Sequence, residues 1–148
     1  MSLKQTLMLL LLVVATGAIA QSSMKVANYA YGQPGTDTYE EFSFWANNGK
    51  RTTISYTYGK DRKETTLQFA GQSRLDKKAG FTVQFPNQYT LQIIPVGNKI
   101  EVMDRQKKYR KTFHWQYEGP VNGIGTFCTV CAEDEKEAMR LLQTYYLK

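Results

Sequence analysis

Histidine is nearly absent from this chain, cysteine occurs twice and proline four times. With His114 the single histidine, any His-based triad, zinc cluster or acid-base pair would have to be built around one residue. Its strand places it on a polar face, where a solvated imidazole needs no further role. No serine or cysteine sits in a nucleophile signature, and there is no glycine-rich phosphate loop. The carboxylates cluster only at Glu40-Glu41 and at Glu133 to Glu137, neither of which singles out a glycosidase pair. Catalytic residues, metal ligands and cofactors are therefore all expected to be none.

Long apolar runs are equally scarce. The one near the start is short: Lys4 precedes Leu7 to Ala15, and Ala18-Ile19-Ala20 then forms a small-x-small pattern before Gln21. This is the pattern of a secretory signal peptide over residues 1–20, with cleavage expected after Ala20. No other stretch approaches the length that spans a bilayer as a helix. Removal of the signal leaves residues 21–148, 128 in all, with 18 basic against 13 acidic side chains. That is enough chain for one core without obligatory staples, and the expected location is secreted or periplasmic.

What fills the mature chain is alternation. Met24 to Tyr31 reads as a first strand, and Tyr39 to Ala46 as a stronger one. Asn48-Gly49 tolerates the positive φ of a type I′ turn and joins the second strand to Arg51 to Tyr58. There Ile54, Tyr56 and Tyr58 share one face while Thr53, Ser55 and Thr57 share the other. Thr65, Leu67 and Phe69 continue the logic, Gly71 to Gly80 reads as a longer polar loop, and Phe81, Val83 and Phe85 form the next apolar row. Tyr89, Leu91 and Ile93 follow. Gly97-Asn98 fits a II′ turn into Lys99 to Asp104. In the next strand Tyr109, Lys111, Phe113, Trp115 and Tyr117 lie on one side, and Gly119-Pro120 turns into a final run, Val121 to Phe127.

The end of the chain changes period. Ala138, Leu141, Leu142, Tyr145 and Tyr146 recur at three- and four-residue steps, which predicts a helix over 132–146, about four turns, with Thr129 as N-cap. Glu133, Asp134 and Glu135 suit its positive end. A lone amphipathic helix of this length is marginal in water, so a sheet must cover its stripe. The fold class that follows is mainly β (α+β): an antiparallel meander of eight or nine strands, strongly curved or closed into a barrel, with one C-terminal helix packed on it.

Function is less legible. In a simple meander successive turns alternate between ends, placing Lys50, Arg51, Arg74, Lys77 and Lys78 at one end and Lys60, Arg62, Lys63, Arg105, Lys107 and Lys108 at the other. A split basic charge argues against nucleic-acid binding. The Cys128 and Cys131 pair is a disulfide candidate, with thiol-disulfide exchange at a helix start as the active alternative; a bond would need Cys131 in the first helical turn. Tyr56, Tyr58, Trp115 and Tyr117 are candidate ligand-binding aromatics. The resulting expectation is a non-enzymatic binding domain, holding a small apolar ligand between sheet and helix or meeting a protein partner. An enclosed cavity would mark the first, and a filled core with an exposed aromatic patch the second.

Overall fold

A computed structural model describes residues 23–117 and 128–148. The expected signal segment, its cleavage point and the run Val121 to Phe127 lie outside the described residues. Eight strands, β1 Lys25–Tyr31, β2 Glu40–Asn47, β3 Lys50–Tyr58, β4 Lys63–Leu75, β5 Lys78–Gln84, β6 Thr90–Val96, β7 Lys99–Met103 and β8 Arg110–Gln116, pair in chain order. β1 also pairs antiparallel with β8 (Asn28 opposite Gln116, Ala30 opposite His114), which closes the sheet into a barrel. Closure pairs each strand on both sides around the barrel wall; beyond the wall, Gln72 to Leu75 of β4 pair with β5 alone.

Alternation decides what the barrel contains. Ala27 and Tyr29 of β1, Phe42 and Phe44 of β2, Ile54, Leu67, Phe81, Val83, Leu91, Ile93, Ile100, Val102 and Phe113 are all buried in one cluster. Rings cross the interior: Phe42 meets Phe113 at 5.1 Å and Phe44 meets Phe81 at 5.6 Å between centroids. The interior is packed with side chains, as an eight-stranded barrel allows.

Two hairpins form as their residues require. Asn48 and Gly49 hold φ of 50° and 75°, the type I′ turn, and Gly97 holds 64° ahead of Asn98. Residues 71–80, expected to be a polar loop, are instead the far half of β4 and the start of β5, joined by Asp76 and Lys77 at φ of 49° and 67°. This hairpin does not run straight on. Lys78 pairs with Glu101 of β7 at 3.9 Å and Asp76 with Lys107 at 3.8 Å, so its tip lies over β7 and the turn after it. Ile94 and Met103, which alternate with the inward Ile93 and Val102, are consequently only 2% and 3% exposed. Gly80 makes the crossing possible, because a Cβ there would stand 2.5 Å from the Ile93 carbonyl oxygen.

The helix, α1, spans Glu135–Tyr145, three turns rather than four. Its N-cap is Asp134, not Thr129: the Asp134 side chain accepts from the Glu137 N–H at 2.7 Å, and the Glu137 carboxylate accepts from the Glu133 N–H at 2.6 Å. The chain ahead of it is pinned to β1, since the Val26 N–H donates to Val130 O and the Ala132 N–H to Val26 O, both at 2.9 Å. Ala138, Met139, Leu141 and Leu142 are the buried face. The helix lies against β1 and β2, and Tyr146 enters the barrel end with its ring 5.5, 6.2 and 5.2 Å from Phe44, Phe69 and Phe81. Its hydroxyl donates to Trp45 O at 2.7 Å. Tyr146, rather than the half-buried Tyr145, is the residue that docks.

Candidate functional site

The barrel has two different ends. At the helix end Tyr146 and Leu142 close the interior. At the other end, where β1, β3, β5 and β7 finish and β2, β4, β6 and β8 begin, the inward rows become polar. Glu40, in the row that continues to Phe42 and Phe44, is only 8% exposed. Its carboxylate accepts from the Tyr56 hydroxyl at 2.8 Å, from the Tyr109 hydroxyl, and from the Lys111 ammonium, with which it forms an ion pair. Three strands thus meet at one buried carboxylate. An acid placed there needs those donors, because unpaired burial of a charge is costly.

Lys111 is held from the other side as well. Its ammonium stands 4.7 Å from the Tyr31 ring centroid and 5.1 Å from that of Tyr109, within reach of cation-π attraction. A run of rings encircles this floor: Tyr31 against Phe113, Phe42 against Tyr56, Tyr56 against Phe85 and Phe85 against Tyr89, with centroids 4.9 to 5.8 Å apart. Burial, followed by the Glu40 contact, pushes the Tyr56 and Tyr109 hydroxyls well above the usual phenol range. Both therefore stay protonated donors at neutral pH, which keeps the floor intact.

Beside it on the outer side, the Tyr39 hydroxyl donates to Glu41 at 2.7 Å and Arg62 pairs with the same carboxylate at 3.7 Å. Burial outweighs both contacts and raises the Glu41 carboxyl above its ordinary value. The rim above the floor is open. Tyr31, Tyr58 and Tyr89 are 37%, 42% and 43% exposed, three of the five large apolar side chains left on the surface of the described residues.

The four aromatics picked from the sequence fall into two places. Tyr56 and Tyr58 stack at 5.6 Å at this mouth. Trp115 and Tyr117 meet at 6.3 Å at the helix end, where Trp115 borders a hollow of about 600 Å³ with Gly97, Asn98, Glu135 and Met139. They form no common site. Cys128 and Cys131 are joined in a disulfide, but Cys131 sits in a bridge to Val26 ahead of Asp134, not in the first helical turn. The Asn28 amide points at its sulfur, 3.8 Å away. His114 is exposed on the outside of β8, and among the described residues no three His, Cys, Asp or Glu side chains gather as metal ligands.

Glu40, Tyr89, Tyr109 and Lys111 were not singled out from the sequence. A signal was there, since Glu40 shares its row with Phe42 and Phe44, and Lys111 shares its own with Tyr109 and Phe113. A single charge in each of two inward rows, of opposite sign, implies a buried pair.

Fold and site together define a filled, closed eight-stranded antiparallel barrel, capped by a C-terminal helix at one end and rimmed with tyrosine at the other. No family model, curated protein or solved structure matches the chain.

Proposed function

We propose that this chain is a non-enzymatic binding domain that meets a protein partner with the mouth of its barrel. The observation that carries the reading is the trio Tyr31, Tyr58 and Tyr89, exposed on a floor fixed by Glu40, Tyr56, Tyr109 and Lys111. Tyrosine is enriched where proteins touch, because it offers a large amphipathic surface with few torsions to freeze. A hydrogen-bonded floor lowers that entropy cost further.

The space between sheet and helix, where a small apolar ligand would sit, is taken by Tyr146, Leu142, Phe44, Phe69 and Phe81, which disfavours a carrier. The paired β1–β8 edges disfavour recognition by strand addition, so the partner is read by side chains. Thiol exchange is disfavoured too: Cys131 precedes the helix cap, away from the N–H groups that would stabilise a thiolate. Export belongs to the proposal, and the Cys128–Cys131 disulfide supports it.

The test has two arms. Titration with oleate and with anilinonaphthalene sulfonate should give no saturable one-to-one binding. Affinity capture from the extracellular or periplasmic fraction should recover a protein that wild type retains, a Tyr58→Ala/Tyr89→Ala variant of unchanged stability loses, and a control pair at Lys50 and Lys136 does not. Stoichiometric oleate binding insensitive to the rim variant would overturn the reading.

A further inference from the structure

The folded-back β4–β5 hairpin overturns the even split of basic charge that a straight meander implies. Its tip carries Arg74, Lys77 and Lys78, and the contacts Asp76 to Lys107 and Lys78 to Glu101 bring it against the β7–β8 turn, which carries Arg105, Lys107 and Lys108. Arg110, at the start of β8, pairs with the same Glu101 carboxylate at 3.2 Å. Seven cations thus gather on one flank with three carboxylates, Asp76, Glu101 and Asp104. The carboxylates are already committed: Asp76 to Lys107, Glu101 to both Lys78 and Arg110, and Asp104 to the Lys108 N–H at 2.9 Å. Arg74, Lys77, Arg105 and Lys108 are exposed side chains on this flank.

The flank is continuous with the mouth. The turn that carries Arg105 and Lys108 ends at Tyr109, whose hydroxyl belongs to the Glu40 floor. A surface approaching Tyr31, Tyr58 and Tyr89 therefore also passes over a local excess of four positive charges. Gly80 and a left-handed Asp76-Lys77 turn are needed to fold the tip there.

We infer that the partner's contacting surface is an acidic polypeptide face that spans the tyrosine rim and the basic flank; this rests on the mouth reading above. Complementary charge raises the encounter rate and fixes orientation, while the rim tyrosines supply the desolvated contact. A nucleic acid or sulfated glycan would take the charge, but Tyr31, Tyr58 and Tyr89 ring the barrel mouth and do not line the basic flank in series, the order that a strand stacking on successive rings would need.

The probe is poly-L-glutamate, titrated against the full mature chain at low and at high salt. Comparison is made between wild type, a flank variant Lys77→Gln/Arg105→Gln/Lys108→Gln, a control variant Lys50→Gln/Lys136→Gln/Arg140→Gln with the same change in net charge, and the rim variant Tyr58→Ala/Tyr89→Ala. The flank variant should weaken binding roughly tenfold at low salt and the control less than twofold. Equal loss in flank and control variants would mean generic attraction to a basic protein and would overturn the inference. Loss in the rim variant with none in the flank variant would overturn the acidic-face inference while leaving the mouth reading intact; loss in the flank variant alone would overturn the single spanning surface, because the flank would then bind without the mouth. Heparin or single-stranded DNA bound more tightly, with the same flank dependence, would overturn the choice of a polypeptide.

Discussion

Replacing Tyr146 tests whether the C-terminal segment is part of the barrel core or merely rests on it. The side chain is fully buried, contacts three rings, and spends its hydroxyl on Trp45 O at 2.7 Å. Two substitutions divide these contributions. Tyr146→Phe keeps the ring and removes one neutral hydrogen bond, which costs about 1 kcal/mol. Tyr146→Ala removes the ring as well and leaves a cavity between Phe44, Phe69 and Phe81, which costs about 4 kcal/mol, the range for truncating a buried aromatic. For a domain of this size about 1 kcal/mol corresponds to roughly 3 °C in melting temperature, so the two variants should melt about 3 and about 12 °C below wild type.

The assay is chemical denaturation followed by near-UV circular dichroism, with thermal melts as the second reading. Against a total stability of roughly 5–15 kcal/mol, the alanine variant should lie near the edge of folding. Amide exchange adds a spatial check: in Tyr146→Phe, protection should fall first in α1 and the adjoining end of β2, not at the mouth. An alanine variant with a wild-type midpoint would refute the docking of α1. A phenylalanine variant as unstable as the alanine one would mean the hydroxyl, not the ring, carries the contact.

Four further outcomes follow from single features. Gly80→Ala forces a Cβ against the Ile93 carbonyl and should cost about 2 kcal/mol, displacing the hairpin tip so that Asp76 and Lys107 separate, as seen by shifts at Lys78 and Glu101 in NMR spectra. Cys128→Ser/Cys131→Ser should lower stability by about 2 kcal/mol, the value for so short a loop, while wild type shows no turnover in an insulin-reduction assay. Glu40→Ala strands the Tyr56 and Tyr109 hydroxyls and the Lys111 ammonium and should cost about 3 kcal/mol; Glu40→Leu/Lys111→Met, which removes the stranded ammonium but leaves the two hydroxyls unpaired, should recover part of it in denaturant midpoints. Finally, burial foremost raises Tyr29, Tyr39, Tyr56, Tyr109 and Tyr146 above the ordinary 10.0. Because the unfolded chain releases these protons first, stability is fully present below pH 10 and falls above it, by about 1.4 kcal/mol per pH unit for each such group; absorbance at alkaline pH should show these tyrosines ionising only together with unfolding.

What could be read from the sequence was what depends on near neighbours. Asn48-Gly49 and Gly97-Asn98 carry the φ values their turns need, and the alternation through Tyr109 to Trp115 survives into the barrel wall, whereas in β3 Ile54 and Tyr56 turn inward as expected but Ser55 and Thr57 on the other face are buried as well. The Asp76-Lys77 turn escaped because both residues adopt left-handed backbone without a glycine, and the polar run Gln72, Ser73, Arg74 looks like loop when its partner strand is not known. The choice between a strongly curved sheet and a closed barrel stayed open for a different reason: β1 meets β8 through residues nearly ninety positions apart, and no local pattern encodes a pairing of that span. The helix started later than its apolar stripe suggested, because Asp134 capped Glu137 and the bridge at Val26 held the preceding residues extended.

The two ends of this barrel solve one problem in opposite ways, and the difference locates function. A closed eight-stranded sheet leaves the rings of its outermost layer facing solvent at both ends. At the helix end a segment of the same chain covers them, with Tyr146 inserted among Phe44, Phe69 and Phe81. At the mouth nothing of the described chain does so. Glu40, Tyr56, Tyr109 and Lys111 tie the strand ends together and satisfy each other, yet they leave Tyr31, Tyr58 and Tyr89 outside. Had the mouth served stability alone, a polar rim over the same floor would suffice, since exposed aromatic area contributes little to folding and favours association. A fixed floor beneath uncovered tyrosines is the arrangement that makes ordering on contact cheap, and it puts the contact surface at the end that the helix leaves free.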